Sequence, residues 1–398
     1  MLTLIVSVAS FAATAALPHE GGRTLRVGPS QPLRTIAAAA AIAKPGDTVE
    51  IDAGDYIADV ASWRLDHLTL RGVGGTARLI AAGKSAEGKA IWVISGKNVL
   101  VENIYFSGAK VDDNNGAGIR FEHGHLTVRN CVFLNNENGI LTSNDNQAEL
   151  VIENSEFGHG GGVSHNLYVG QIKKLTVTGS YFHHASVKHL LKSRASESFI
   201  FYNRLTDETG GKASYELDLP NGGRAYVVGN IIQQSSTTQN PIIIAYGEEG
   251  YTWPRNELFL AYNTIVDDYP KGGLFLYRKP GADKLVAANN VLVGSGPLEG
   301  SLGAKGAIFV SRLLGGKDPE VKDTAVVETQ NNITTGWESF VRASRYDYRL
   351  STAAAAHFKA IGLLAANGVP LVPQSQYAHP RAVKSLAASP VLPGAVQP

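Results

Sequence analysis

Three stretches hold an unusual density of proton-handling and charged side chains: Ser164-His165-Asn166-Leu167-Tyr168-Val169-Gly170, Lys188-His189-Leu190-Leu191-Lys192-Ser193-Arg194 and Tyr215-Glu216-Leu217-Asp218-Leu219-Pro220-Asn221. Tyrosine, histidine, lysine and carboxylate side by side suit proton transfer next to a bound anion. Side chains alternate faces along a strand. With Leu167, Val169, Leu191, Leu217 and Leu219 inward, Asn166, Tyr168, Lys188, Leu190, Lys192, Arg194, Glu216 and Asp218 point outward. Tyr168 and Lys192 lie 24 residues apart, and a one-residue slip adds Asp218 to form one column. Strict counting gives a second column, His165, His189 and Glu216, and both stay open.

Other residues form a second tier. The segment Tyr246-Gly-Glu-Glu-Gly-Tyr251-Thr-Trp253-Pro-Arg255 reads as a long inserted loop, and such loops mark the functional face of a repeat protein. Tyr246 and Trp253 could stack on sugar rings there, and Arg255 could meet a carboxylate. Asp112-Asp113-Asn114-Asn115 is an exposed turn, with Ca²⁺ the one cation such a loop could hold. Glu216 and Asp218, pointing the same way, are a second candidate for a cation. His183-His184 is expected in a loop beside the groove, and no residue is assigned as a metal ligand. Cys131, the only cysteine, sits in a repeat and is expected to stack in the core.

Positioning these groups requires a repeat. Eight segments share a β-branched or apolar residue, any residue, Asn and a short apolar run, with the third position at Asn103, Asn130, Asn154, Gly179, Asn203, Asn230, Asn263 and Asn290. Intervals of 24 to 33 residues mean stacked units that cannot bury their apolar faces alone. Strand-forming residues fill each unit and no helical period appears, so the expected fold is all-β, a single-stranded parallel β-helix. The aligned asparagines are expected to point inward and pass amide hydrogen bonds from coil to coil. An Ala-rich helix from Leu33 to Ala43, stopped by Pro45-Gly46 and followed by a strand at Thr48–Ile51, caps the first coil.

That opening, with Lys44-Pro-Gly-Asp47-Thr-Val49 and the repeats, resembles pectate-lyase-like right-handed β-helix proteins over roughly residues 24–350. The resemblance implies a right-handed coil. Residues 351–398 are expected to form a C-terminal cap and tail, loosely ordered after Pro380. Gly158-His159-Gly160 is similar to a polygalacturonase fragment, but the Asn-Thr-Asp and paired-Asp elements that belong with it are absent, which sets that family aside. Locally, Leu190-Leu-Lys192-Ser193 followed by Phe201-Tyr-Asn203 and Val228-Gly-Asn230 resembles chondroitinase B and the β-helical alginate lyases. Their Lys-Ser pair supplies the catalytic base, and Lys192 matches that lysine; the family's arginine on the next coil is replaced by the strand carrying Asp218.

The resemblance implies a polysaccharide lyase that cleaves a uronate-containing glycan by β-elimination. Lys192 would be a base or a neutralising cation, since a neighbouring Asp218 raises a lysine's pKa and works against a neutral base. Tyr168 would be base or acid, Arg194 with Lys188 the carboxylate clamp, and His165 or His189 the alternative base. A glycoside hydrolase using Glu216 or Asp218, a C5-epimerase and a non-catalytic glycan-binding protein are the alternatives.

Composition narrows the partners. With 36 basic and 35 acidic residues, net charge +1 and no basic run, nucleic acid is not expected; the acidic polysaccharide partner is what the resemblance implies, and the chain is expected to be a monomer. Residues 2–17 are apolar and end in small residues, as a signal peptide within 1–17 would. That implies secretion or a periplasmic location, and no segment suits a membrane span.

Overall fold

The computed structural model describes residues 22–162, 164–238, 240–300 and 323–398; the expected signal peptide lies outside them. The described chain winds as a right-handed parallel β-helix. Ten short parallel strands, from Ala61–Trp63 to Glu299–Gly300, stack into one sheet. The remaining faces form a continuous 21-stranded sheet, because the long strands Thr48–Ile57 and Thr69–Ile80 run across a corner and join two faces. Each strand bonds to its counterpart on the coils before and after, so the interior strands have no free edge. No helix among the described residues is long and apolar enough to cross a membrane.

The N-terminal helix is shorter than expected, Ile36–Ile42. Thr35 is its N-cap, its hydroxyl accepting from Ala38 N at 3.1 Å, and the Asp59 carboxylate accepts from Ile36 N and Ala37 N. These bonds satisfy amides that a helix start leaves open. Ile36 and Ala39 close the end of the core. The following strand continues past Ile51 to Ile57.

Inside, like residues sit above like. Phe106, Phe133, Phe157 and Phe182 stack with ring centroids 4.9, 4.8 and 4.7 Å apart and nearly parallel planes, the spacing of adjacent strands. Cys131 is buried in this core.

The asparagine row divides into two. Asn203, Asn230, Asn263 and Asn290 point inward: each Nδ2 donates to Oδ1 of the next at 3.1, 3.0 and 3.0 Å, and Asn290 passes the bond to Asn332 at 2.8 Å. Asn103, Asn130, Asn154 and Gly179 instead occupy the preceding turn position with φ between 49° and 63°. On those coils the inward position belongs to Cys131, Ser155 and Ser180; Ser180 N donates to Asn203 Oδ1 at 2.9 Å. The motif is thus two turn roles one residue apart. Asn serves both because it tolerates the left-handed conformation and can bond coil to coil.

The C-terminal tail is ordered against the solenoid, contrary to the expectation after Pro380. Ser375–Ala378 pairs antiparallel with Ala382–Ser385. Val369 and Leu371 cover the outward stack Phe199, Tyr226 and Phe259, and Ala395 N donates to Thr264 Oγ1 at 3.0 Å. An apolar outer face on these coils needs a cover, and the tail supplies it.

Candidate functional site

Strands Leu167–Val169, Leu191–Ser193 and Leu217–Leu219 are consecutive members of the ten-stranded sheet. Their register aligns Tyr168 with Lys192 and Lys192 with Asp218, the first of the two columns. Leu167, Leu191 and Leu217 on one side, with Val169 and Leu219 on the other, lie in the core, which turns the column outward.

The histidine column joins it on the same face. His165 and His189 are stacked at 4.7 Å, and His165 lies 5.0 Å from the Tyr168 ring. Its third member is Tyr215, 4.8 Å from His189, in place of Glu216. Two inward residues in succession, Leu190 and Leu191, break the alternation at the strand entrance and let both columns face out.

Three assignments are corrected, the first two through that irregularity. The Glu216 carbonyl accepts from Leu191 N and its own N donates to Ile243 O, both partners being core residues. It is fully buried, and neither carboxyl oxygen has a hydrogen-bond partner among the described residues. Burial, reinforced by Asp207, raises its pKa well above the carboxylate range, so it is a neutral core group and binds neither cation nor glycan. Asn166 is also inward, its Nδ2 donating to His183 O at 2.8 Å. Tyr246 lies in the core with its hydroxyl on Gly223 O at 2.6 Å, unable to stack on a sugar.

Around the column the charges are closely paired. Lys192 Nζ lies 2.8 Å from Asp218 Oδ2 and 2.9 Å from Glu249 Oε1. Arg194 holds the same Glu249 carboxylate in a fork, Nη1 to Oε2 at 2.5 Å and Nη2 to Oε1 at 2.9 Å. Its Nη1 also donates to Asn221 Oδ1 at 2.8 Å and its Nε to Tyr168 Oη at 3.2 Å. Trp253 Nε1 donates to Arg194 O at 3.0 Å, which fixes the loop on this side of the coil. Lys188 is exposed and lowers the pKa of both histidines, and Arg255 is exposed.

Protonation follows from these contacts. Burial works against the Lys192 charge, but Asp218 and Glu249 outweigh it and raise its pKa. Both carboxylates thus favour the charged form of Lys192, which suits the neutralising cation of the two roles. Hydrogen bonding to Arg194 leads in lowering Glu249 to about 2. Burial raises Asp218 to about 7 against the pull of Lys192. Burial, then Lys192, Lys188 and Arg194, lowers His165 to about 3; burial and His165 lower His189 well below its usual value. Both imidazoles are neutral. His189 Nε2 lies 3.3 Å from Asp218 Oδ2, while its buried Nδ1 has no hydrogen-bond partner among the described residues.

Glu249 and Asn221 were missed as site residues. Glu249 lies 57 positions from Lys192, and the signal was an acidic pair, Glu248-Glu249, in the inserted loop of the 33-residue repeat. Asp113 accepts from Asn115 N at 3.1 Å, and the same turn is tied to a later coil by Ser164 Oγ donating to Asn114 O at 2.6 Å. His183 ends the strand Tyr181–His183 and is buried, rather than lying in a loop.

Residues 74–206 match the family described as "Right handed beta helix region". Among solved structures, pectate lyase Pel9A superposes with a TM-score of 0.54 at 12% identity, covering 88% of this chain and 96% of that one. Pectin methylesterase PemA from Erwinia chrysanthemi gives a TM-score of 0.32 at 11% identity, covering 84% and 94%. No curated protein matches the sequence. At these identities the likeness is one of fold.

Proposed function

We propose that this β-helix is an exported enzyme that binds a uronate-containing glycan across the Tyr168–Lys192–Asp218 face and cleaves it by β-elimination. One observation carries the reading: Lys192 and Arg194 converge on a single carboxylate, that of Glu249, in the fork geometry that recognises carboxylates. A uronate group entering the site takes the place of Glu249. The pectate-lyase-like fold supports a polysaccharide substrate.

The reaction removes the proton from the carbon bearing the carboxylate. Its electron pair becomes the new C4–C5 double bond, and the C4–O4 bond breaks with protonation of the leaving oxygen. Lys192 and Arg194 neutralise the carboxylate, which acidifies that proton. Tyr168, whose hydroxyl sits against Arg194 at the same face, and neutral His165 are the two groups placed to exchange protons; Tyr168 is assigned as base. Asp218 orients His189 and holds Lys192.

The test incubates the purified chain with a panel of uronate polysaccharides and follows ultraviolet absorbance of the conjugated product. A rise that Tyr168→Phe abolishes supports the reading. New reducing ends without that absorbance indicate a hydrolase, and no turnover on any acidic glycan refutes the lyase assignment.

A further inference from the structure

A second cluster lies at the corner entering these coils. His159, His183 and His184 each offer a ring nitrogen, and all three lie within 4.8 Å of one another. His159 and His184 stack at 4.8 Å on successive coils, and His183 meets both nearly edge-on, at 5.1 and 5.0 Å. The His183 ring occupies space that only Gly158 leaves open: a Cβ at 158 would lie 2.3 Å from the ring. Sequence spacing hid the group, because His159 and His184 are brought together only by coil stacking.

The three ring nitrogens are close enough to share one cation. His183 Nε2 lies 3.4 Å from Glu156 Oε1. His183 Nδ1 and His184 Nδ1 stand 2.7 Å apart, so either one N–H lies between them or both nitrogens serve one shared cation. A carboxylate behind a ligating imidazole is the usual outer support of a metal-bound histidine. A tetrahedral ion at about 2.0–2.1 Å from each nitrogen spaces its ligands roughly 3.4 Å apart, between the short contact and the limit of this cluster.

We propose that His159, His183 and His184 bind one borderline divalent transition metal ion of the zinc class, with Glu156 orienting His183. Imidazole donors favour such ions over Ca²⁺ or Mg²⁺. The exposed His159 side leaves the fourth position to solvent. The site staples two coils and, through the Asn166 bond to His183 O, fixes the turn that delivers His165 to the glycan face.

Calorimetric titration of the full chain with Zn²⁺ tests this, with Co²⁺ absorption as a second readout. One equivalent should bind saturably, raise Tm and give the intense visible bands of tetrahedral Co²⁺. His159 and His184 hold φ of 52° and 48°, like Asn135 at 59° on the preceding coil, so His159→Asn/His184→Asn preserves the backbone. It should weaken binding more than tenfold, and Glu156→Gln should weaken it by about 10–100-fold. No saturable binding in the unaltered chain, or undiminished affinity in the folded double variant, overturns the proposal. Should the double variant not fold, the Co²⁺ spectrum of the unaltered chain decides: tetrahedral bands support the site and their absence overturns it.

Discussion

Lys192 stands between a buried carboxylate and a half-exposed one, and the two have different consequences. Asp218 is fully buried, so Lys192→Met leaves its charge without its ammonium partner. Breaking such a pair destabilises by about 3–5 kcal/mol, and Lys192→Met/Asp218→Asn should recover much of the loss, read by denaturant unfolding. Activity should stay abolished in both, which separates the catalytic part of Lys192 from its structural part. Glu249 has a folded pKa lowered to about 2, below its unfolded value. Its contribution to stability is therefore present above about pH 4.5 and is lost as pH falls toward 2. The Tm difference between the parent chain and Glu249→Gln should be largest near neutrality and close on acidification. The same variant should lower KM for an acidic glycan, because a neutral amide competes poorly for Lys192 and Arg194.

Coils align residues by register, and register determines which asparagines matter. Asn230 gives and takes side-chain bonds across three coils. Asn230→Ala leaves Asn203 N and Ile200 O unpaired inside the molecule, a loss of about 1–3 kcal/mol for each buried group. Asn130 is exposed with φ 51°, and Asn130→Gly should change Tm little, since glycine accepts that conformation. Thermal unfolding of the two variants separates the two turn roles. Their shared spacing was plain in the chain, but a one-residue offset leaves no mark where Asn suits both positions. The Tyr168–Lys192–Asp218 column was likewise visible as an outward line. Glu216 and Asn166 were misassigned because strict alternation fails at the strand entrance, where two successive residues turn inward.

Across the whole molecule, the tail from Ala360 to the C-terminus shields an aromatic outer face. Removing residues 360–398 would bare Phe199, Tyr226, Phe259 and Tyr262, which pack against Val369 and Leu371. The truncated chain should associate in light scattering and melt lower, with its helical coils intact by circular dichroism. Nothing local in residues 351–398 announced this, because Ala and Pro carry little strand signal and the partner surface lies more than a hundred positions away. From the sequence alone came the solenoid, the capping helix, the polar face and the column joining Tyr168 to Lys192. Strand periodicity and repeat length are local quantities, and they dictate stacking wherever one unit cannot bury its own apolar face. Tertiary structure alone decided that Glu249 closes on Lys192 and Arg194, that Glu216 is interior, and that three histidines meet at a corner. Those outcomes depend on loop paths and on the turn by which each coil enters its strand, which residue spacing does not encode.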